Sequence, residues 1–171
     1  LAGNKIESLQ SGIGNFPGLK KLYLNDNKLS SLPPAIGDLL ELEELYIFNN
    51  RLMNLPDKMG QLRVLHTLDI TSNQLSLLPP EFGFMKNLKT LSIEDNPISS
   101  PPPDIRRLGM DIILEYLRKI FESRRTARLE LNGYGLMHLP IEVCNLTYLT
   151  DLQLVNNHLK DLPPDIMKLD K

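Results

Sequence analysis

The asparagines at positions 4, 27, 50, 73 and 96 of this chain recur at one step of 23 residues. The step is not confined to asparagine. The stretches "LKKLYLNDNKLSSLPPAIGDLLE" (19–41), "LEELYIFNNRLMNLPDKMGQLRV" (42–64), "LHTLDITSNQLSLLPPEFGFMKN" (65–87) and "LKTLSIEDNPISSPPPDIRRLGM" (88–110) align position for position. A period of this length forces a stacked architecture, because one such unit cannot bury its own apolar face and a row of them can. Within a unit, Leu22-Tyr23-Leu24 alternates inward and outward as a short strand does. Leu29, Leu32, Ile36 and Leu39 carry the chain back across the core at wider spacing, where Pro33-Pro34 resists regular helix. An inward asparagine must be hydrogen-bonded, and the backbone of neighbouring turns supplies partners, so the asparagines are expected to form a ladder.

The residues spell L-x-x-L-x-L-x-x-N-x-L followed by x-x-L-P-x-x-I-x-x-L, a pattern that resembles the leucine-rich repeat over nearly the whole chain. The resemblance implies an α/β solenoid with a curved parallel sheet on the concave face and irregular or 3₁₀ segments on the convex side. The 23-residue step and the L-P-x-x-I ending are similar to intracellular arrays: Ras-pathway scaffold proteins, the plant Ras-group repeat proteins, and the polarity scaffolds Erbin and Scribble. Extracellular relatives usually carry cysteine-rich caps, which this sequence lacks.

The rhythm stops once. The next unit is due at 111, where the sequence has Asp111, and the pattern resumes 15 residues later with "TARLELNGYGLMHLPIEVCNLTY" (126–148) and "LTDLQLVNNHLKDLPPDIMKLDK" (149–171). Across the break, Ile105, Leu108, Ile112, Ile113, Tyr116, Leu117, Ile120 and Phe121 recur at threes and fours, the spacing of an amphipathic helix. Asp111 near its start and Arg124-Arg125 near its end suit the helix dipole, and Gly109 marks the switch. The expected organisation is a first array over 1–109, a capping helix over 110–125 and a second segment of two repeats over 126–171. Three roles compete for the helix. It covers the end of the first array, or bulges from a continuous sheet, or itself binds a partner. The position equivalent to the ladder asparagine after the break is Tyr134. A first repeat has no upstream turn to bond, which favours the covering role and predicts that the strand at 129–131 does not pair with that at 91–93. The chain opens in mid-repeat without Met and stops where another repeat would begin, so it is expected to be a piece of a longer array.

Chemistry-bearing motifs are scarce. Neither G-x-x-x-x-G-K-[ST] nor G-x-G-x-x-G occurs, and "SGIGN" at 11–15 aligns with "PAIGD" as ordinary repeat. His66, His138 and His158 sit at different repeat positions, and the single cysteine, Cys144, has no C-x-x-C partner. No catalytic, cofactor or metal residues are therefore assigned. Asn145-Leu146-Thr147 is a glycosylation sequon at ordinary repeat positions and carries no weight. A net charge of −2 argues against nucleic acid or anionic lipid as partner. The apolar runs are far too short for membrane insertion. A lone cysteine points to a reducing, cytoplasmic setting.

The outward strand columns carry the functional expectation. Tyr23, Tyr46 and Phe48 cluster on the exposed sheet, beside an acidic strip of Asp69, Glu94 and Asp95. Aromatics adjoining on the surface that repeat proteins present to partners suit a protein-binding site. The expected function is non-enzymatic: a scaffold or adaptor module that binds protein, with no small-molecule substrate. The resemblance adds a small-GTPase or kinase-pathway component as partner. The alternatives are a recognition array serving a catalytic domain elsewhere in a larger enzyme (a GTPase, kinase or ubiquitin ligase) and a structural subunit of a large assembly.

Overall fold

The structure, a computed structural model, describes residues 1–169. Strands β1 (Lys21–Tyr23), β2 (Glu44–Tyr46), β3 (Thr67–Asp69) and β4 (Thr90–Ser92) form one parallel sheet in sequential order. Leu22 pairs with Leu45, Leu45 with Leu68, and Leu68 with Leu91, so the strand register reproduces the 23-residue period. Leu22, Leu24, Leu45, Ile47, Leu68 and Ile70 point into a continuous core. The chain then returns through 3₁₀ segments at Pro34–Asp38, Asp57–Gln61 and Pro80–Phe84. Each follows a proline, whose fixed φ and missing N–H suit the position just before or within a first helical turn. The convex side is not uniformly irregular or 3₁₀: single α-turns replace the 3₁₀ segment at α1 (Pro103–Arg106) and α3 (Ile141–Cys144).

From 11–15 to 80–84 the return segments stack so closely that each carries a glycine at the contact. A Cβ at Gly37 would lie 2.4 Å from the Lys58 carbonyl oxygen, and one at Gly60 would lie 2.5 Å from that of Glu81. "SGIGN" and "PAIGD" therefore share glycine for a packing reason.

The asparagine ladder is present. Asn73 Oδ1 accepts the Leu52 N–H at 3.0 Å, and its Nδ2 donates to the carbonyls of Ile47, Ile70 and Thr71. Asn50, Asn96 and Asn157 repeat this geometry, each reaching back to the preceding turn. The residue before each ladder position is left-handed: Asp26, Asn49, Ser72, Asp95, Gly133 and Asn156 all have positive φ. Short polar residues and glycine tolerate that region best, which explains the turns written N-D-N, N-N, S-N and D-N.

At the break stands α2 (Met110–Thr126). Gly109 precedes it with φ +101, and Ala127 ends it in the left-handed region. Ile113, Tyr116, Leu117 and Ile120 are buried, Ile112 and Phe121 are half-buried, and Leu108 stays half exposed. Burying the four is worth about 1.5–3 kcal/mol each as an upper estimate. One side of α2 lies against Pro80–Phe84, where a Cβ at Gly83 would come within 2.3 Å of the Arg118 nitrogen. The other side holds the segment C-terminal to the helix. Tyr116 Oη donates to Glu142 Oε1 at 2.7 Å, and Ser123 Oγ lies 2.9 Å from Tyr148 Oη. Tyr134 packs beneath Lys119, whose Nζ is 4.9 Å from the ring centre.

Beyond α2, β5 (Arg128–Glu130) and β6 (Asp151–Gln153) form a separate two-stranded parallel sheet. β4 and β5 are not neighbours in either sheet, as the missing asparagine at 134 led us to expect. The return stroke after β4 is α1, and α2 follows it and takes the stacking position on Gly83. At the outer edge of β4, the Ile93 N–H is met by Glu94 Oε2 at 3.0 Å rather than by a backbone carbonyl.

Candidate protein-binding face

The strand register brings Tyr23, Tyr46 and Asp69 into one row across β1, β2 and β3. The Tyr23 and Tyr46 rings are stacked, with centroids 5.0 Å apart and planes within 1° of parallel. Tyr23 is 44% exposed, so the pair presents an aromatic face to solvent. Alternation produces this arrangement: the flanking leucines face the core, and parallel pairing then superimposes their outward neighbours.

One step earlier in the same strands, Lys21 Nζ contacts Glu44 Oε1 at 2.7 Å, and Tyr46 Oη donates to Glu44 Oε2 at 3.2 Å. The Lys21 hydrogen bond holds the Glu44 carboxyl below its ordinary range, and the same contact raises Lys21. Burial and the adjacent Glu44 push the Tyr46 phenol up, so it stays a protonated donor. The sequence columns contained Lys21 and Glu44 at the same outward position, but their pairing became visible only with the register in hand.

Phe48 follows β2 and is half-buried, extending the apolar surface beyond Tyr46. Asp69 Oδ1 accepts the Thr71 N–H at 3.0 Å, which fixes its orientation beside the tyrosine row. Glu94 and Asp95 lie past β4. Glu94 binds the Ile93 N–H, while Asp95 occupies a left-handed turn and accepts from Ser72 Oγ at 3.2 Å. The geometry thus joins Tyr23, Tyr46 and Asp69 in one row and gives Glu94 and Asp95 local partners at the sheet edge.

Among the described residues, no group of three or more His, Cys, Asp and Glu side chains is placed to hold a metal ion. No helix there is long and apolar enough to cross a membrane. Cys144 is buried, and that burial raises its thiol pKa, the opposite of what a nucleophile needs.

Comparison with known proteins agrees with this geometry. A model described as leucine-rich repeats in two copies matches residues 17–63. A single leucine-rich repeat model matches 64–85 and 87–108. Together they cover more than half of the chain. No curated protein matches the sequence. Among solved structures, a leucine-rich repeat protein of Leptospira interrogans is similar at 31% identity with a TM-score of 0.58, over 97% of this chain. The chain spans 38% of that protein's length. Such repeats generally mediate protein–protein interaction and are typically binding modules. Period, ladder, parallel register and matched models lead to one conclusion: the chain belongs to the leucine-rich repeat family.

Proposed function

We propose that this chain is the protein-binding array of an intracellular scaffold or adaptor, and that it contacts its partner on the concave face around Tyr23, Tyr46 and Phe48. Asp69, Glu94 and Asp95 form the acidic flank. The observation that carries the reading is the stacked, solvent-facing Tyr23–Tyr46 pair. Two rings already stacked lose little conformational freedom on binding, and aromatic anchors of this kind dominate interface energetics. The partner that suits the face offers apolar side chains to the tyrosines and basic ones to the acids. A small GTPase or kinase-pathway component in a cytoplasmic signalling setting is the class suggested by resemblance to Ras-pathway scaffolds. In this reading residues 1–109 are one array, 110–125 its cap and 126–171 a second segment.

The test is quantitative affinity capture with wild type, the double variant Tyr46→Ala/Phe48→Asp, and a control at an exposed residue outside the strands, Met53→Asp, each checked for folding by circular dichroism. Proteins captured by wild type and by the control, and lost with the double variant, support the reading. Identical partner sets for all three remove it.

A further inference from the structure

The tyrosine row ends on a step. Tyr23 and Tyr46 are stacked with ring centres 5.0 Å apart, close to the ~4.8 Å between neighbouring strands, so the stack runs across the sheet from β1 to β2. Tyr23 covers one face of the Tyr46 ring and leaves the other turned toward β3. The third place in the row is Asp69, paired with Tyr46 in the register and too short to continue the stack. The outward neighbours of Asp69 on β3 and β4 are short as well: Thr67, Thr90 and Ser92. An aromatic wall thus stands over a low floor that carries a carboxylate.

The charge on that floor is unbalanced. Elsewhere on the strand face Glu43 is paired with Lys20, Glu44 with Lys21, and Glu130 and Asp151 with Arg128. Asp69, Glu94 and Asp95, among the described residues, take only neutral donors: Thr71 N–H, Ile93 N–H and Ser72 Oγ. Thr71 occupies Asp69 Oδ1, and Oδ2 accepts from no described residue.

Wall and floor together select one kind of side chain. An anionic one is repelled. An apolar one would fill the step but desolvate the half-buried Asp69 carboxylate without pairing it. A lysine ammonium could pair with the carboxylate, but it is a strongly hydrated point charge with no plane to lay on the ring. A guanidinium is planar, lies on an aromatic face and donates from its edge to a carboxylate. We infer that the concave face anchors an arginine of its partner, with the guanidinium on the free face of Tyr46 as the third layer of the stack and its N–H groups donating to Asp69 Oδ2. The inference rests on the concave-face reading proposed above and names the side chain which that face selects.

The test is panning of random linear peptides displayed on phage against the 171-residue chain, followed by fluorescence-anisotropy titration of the selected sequences as synthetic peptides. They should carry an arginine whose replacement by lysine, or by the neutral isostere citrulline, weakens binding about tenfold, the loss expected for a hydrogen-bonded charge pair. Asp69→Asn keeps an oxygen for Thr71 N–H. With that variant the arginine and citrulline peptides should come within about threefold of each other. Glu94→Gln removes a charge of the same sign beside β4 and should cost the arginine peptide no more than about threefold. Tyr46→Leu, which keeps bulk without the ring, should weaken it about fivefold. Circular dichroism establishes that the variants fold. Three results overturn the arginine and leave the concave-face reading standing: peptides that need Tyr46 and Phe48 but contain no arginine, equal binding after replacement by lysine or citrulline, or equal losses with Glu94→Gln and Asp69→Asn. A library that yields no binder also overturns it. Selected peptides indifferent to Tyr46→Ala/Phe48→Asp remove both.

Discussion

Gly83→Ala probes the seam through a single methyl group. The new Cβ would stand 2.3 Å from Arg118 N, 2.6 Å from its Cα and 2.7 Å from its Cβ, all on or next to helix backbone. Ordinary contact begins near 3.4 Å, so α2 would have to retreat by about 1 Å. Displacements of that kind in a packed interior cost about 1–3 kcal/mol. That is less than the burial of Ile113, Tyr116, Leu117 and Ile120 contributes, so the helix should loosen without detaching. At 1.4 kcal/mol per factor of ten, the unfolding constant should rise about 5- to 150-fold. Urea titration followed by circular dichroism measures the total, and amide exchange along 110–126 localises it. Gly18→Ala is the control, because nothing lies within 4 Å of the place its new methyl would take, and it should change stability by no more than about 0.5 kcal/mol. If Gly83→Ala and Gly18→Ala behave alike, and the α2 amides exchange as in wild type, the helix does not stack on Gly83 and the reasoning fails.

Asn73→Ala should cost about 2–4 kcal/mol in the same titration, because Leu52 N–H and the carbonyls of Ile47 and Ile70 lose a buried partner together. Tyr116→Phe tests a proton linkage. Burial, reinforced by Glu142, holds the Tyr116 phenol well above its ordinary pKa. Its contribution is therefore fully present below the unfolded tyrosine pKa of about 10 and is lost as pH rises beyond it. Wild type should lose stability more steeply than Tyr116→Phe in alkaline urea titrations, and parallel curves would refute the linkage. Ala127→Gly should stabilise the chain by up to about 1 kcal/mol, since Ala127 caps α2 at φ +53, where a Cβ is unfavourable; a melting temperature below wild type would contradict this.

The repeats were legible because every position recurs at one spacing: Leu22, Leu45, Leu68 and Leu91 are paired where the period puts them. The ladder was legible for the same reason, and so was its failure at Tyr134. The glycine series 14, 37, 60 and 83 was visible in the sequence without its cause, since close approach of successive return segments is a property of stacking rather than of any one segment. The left-handed row was equally visible in the short polar residue before each ladder asparagine, but its signal is diluted by Gly133 and Ser72. The concave row could be read from alternation, whereas the Lys21–Glu44–Tyr46 network needed rotamers as well as register. The edge-to-face contact of Phe84 with Phe121, 4.9 Å between ring centres, was beyond reach. Phe84 and Phe121 belong to no common period, and only the placement of α2 brings them together.

The most direct test is whether the backbone ladder stops at β4. Hydrogen exchange and inter-strand nuclear Overhauser effects report this on the same sample. Ile70 N–H is bonded to the Ser92 carbonyl and Leu131 N–H to that of Gln153, whereas Ile93 N–H is bonded only to the Glu94 side chain. We expect Ile93 to exchange at least about tenfold faster than Ile70 and Leu131, with no cross-strand contact between residues 91–93 and 129–131. Protection of Ile93 equal to that of Ile70, together with backbone contacts from Leu91 to Leu129, would join the two sheets and contradict the account.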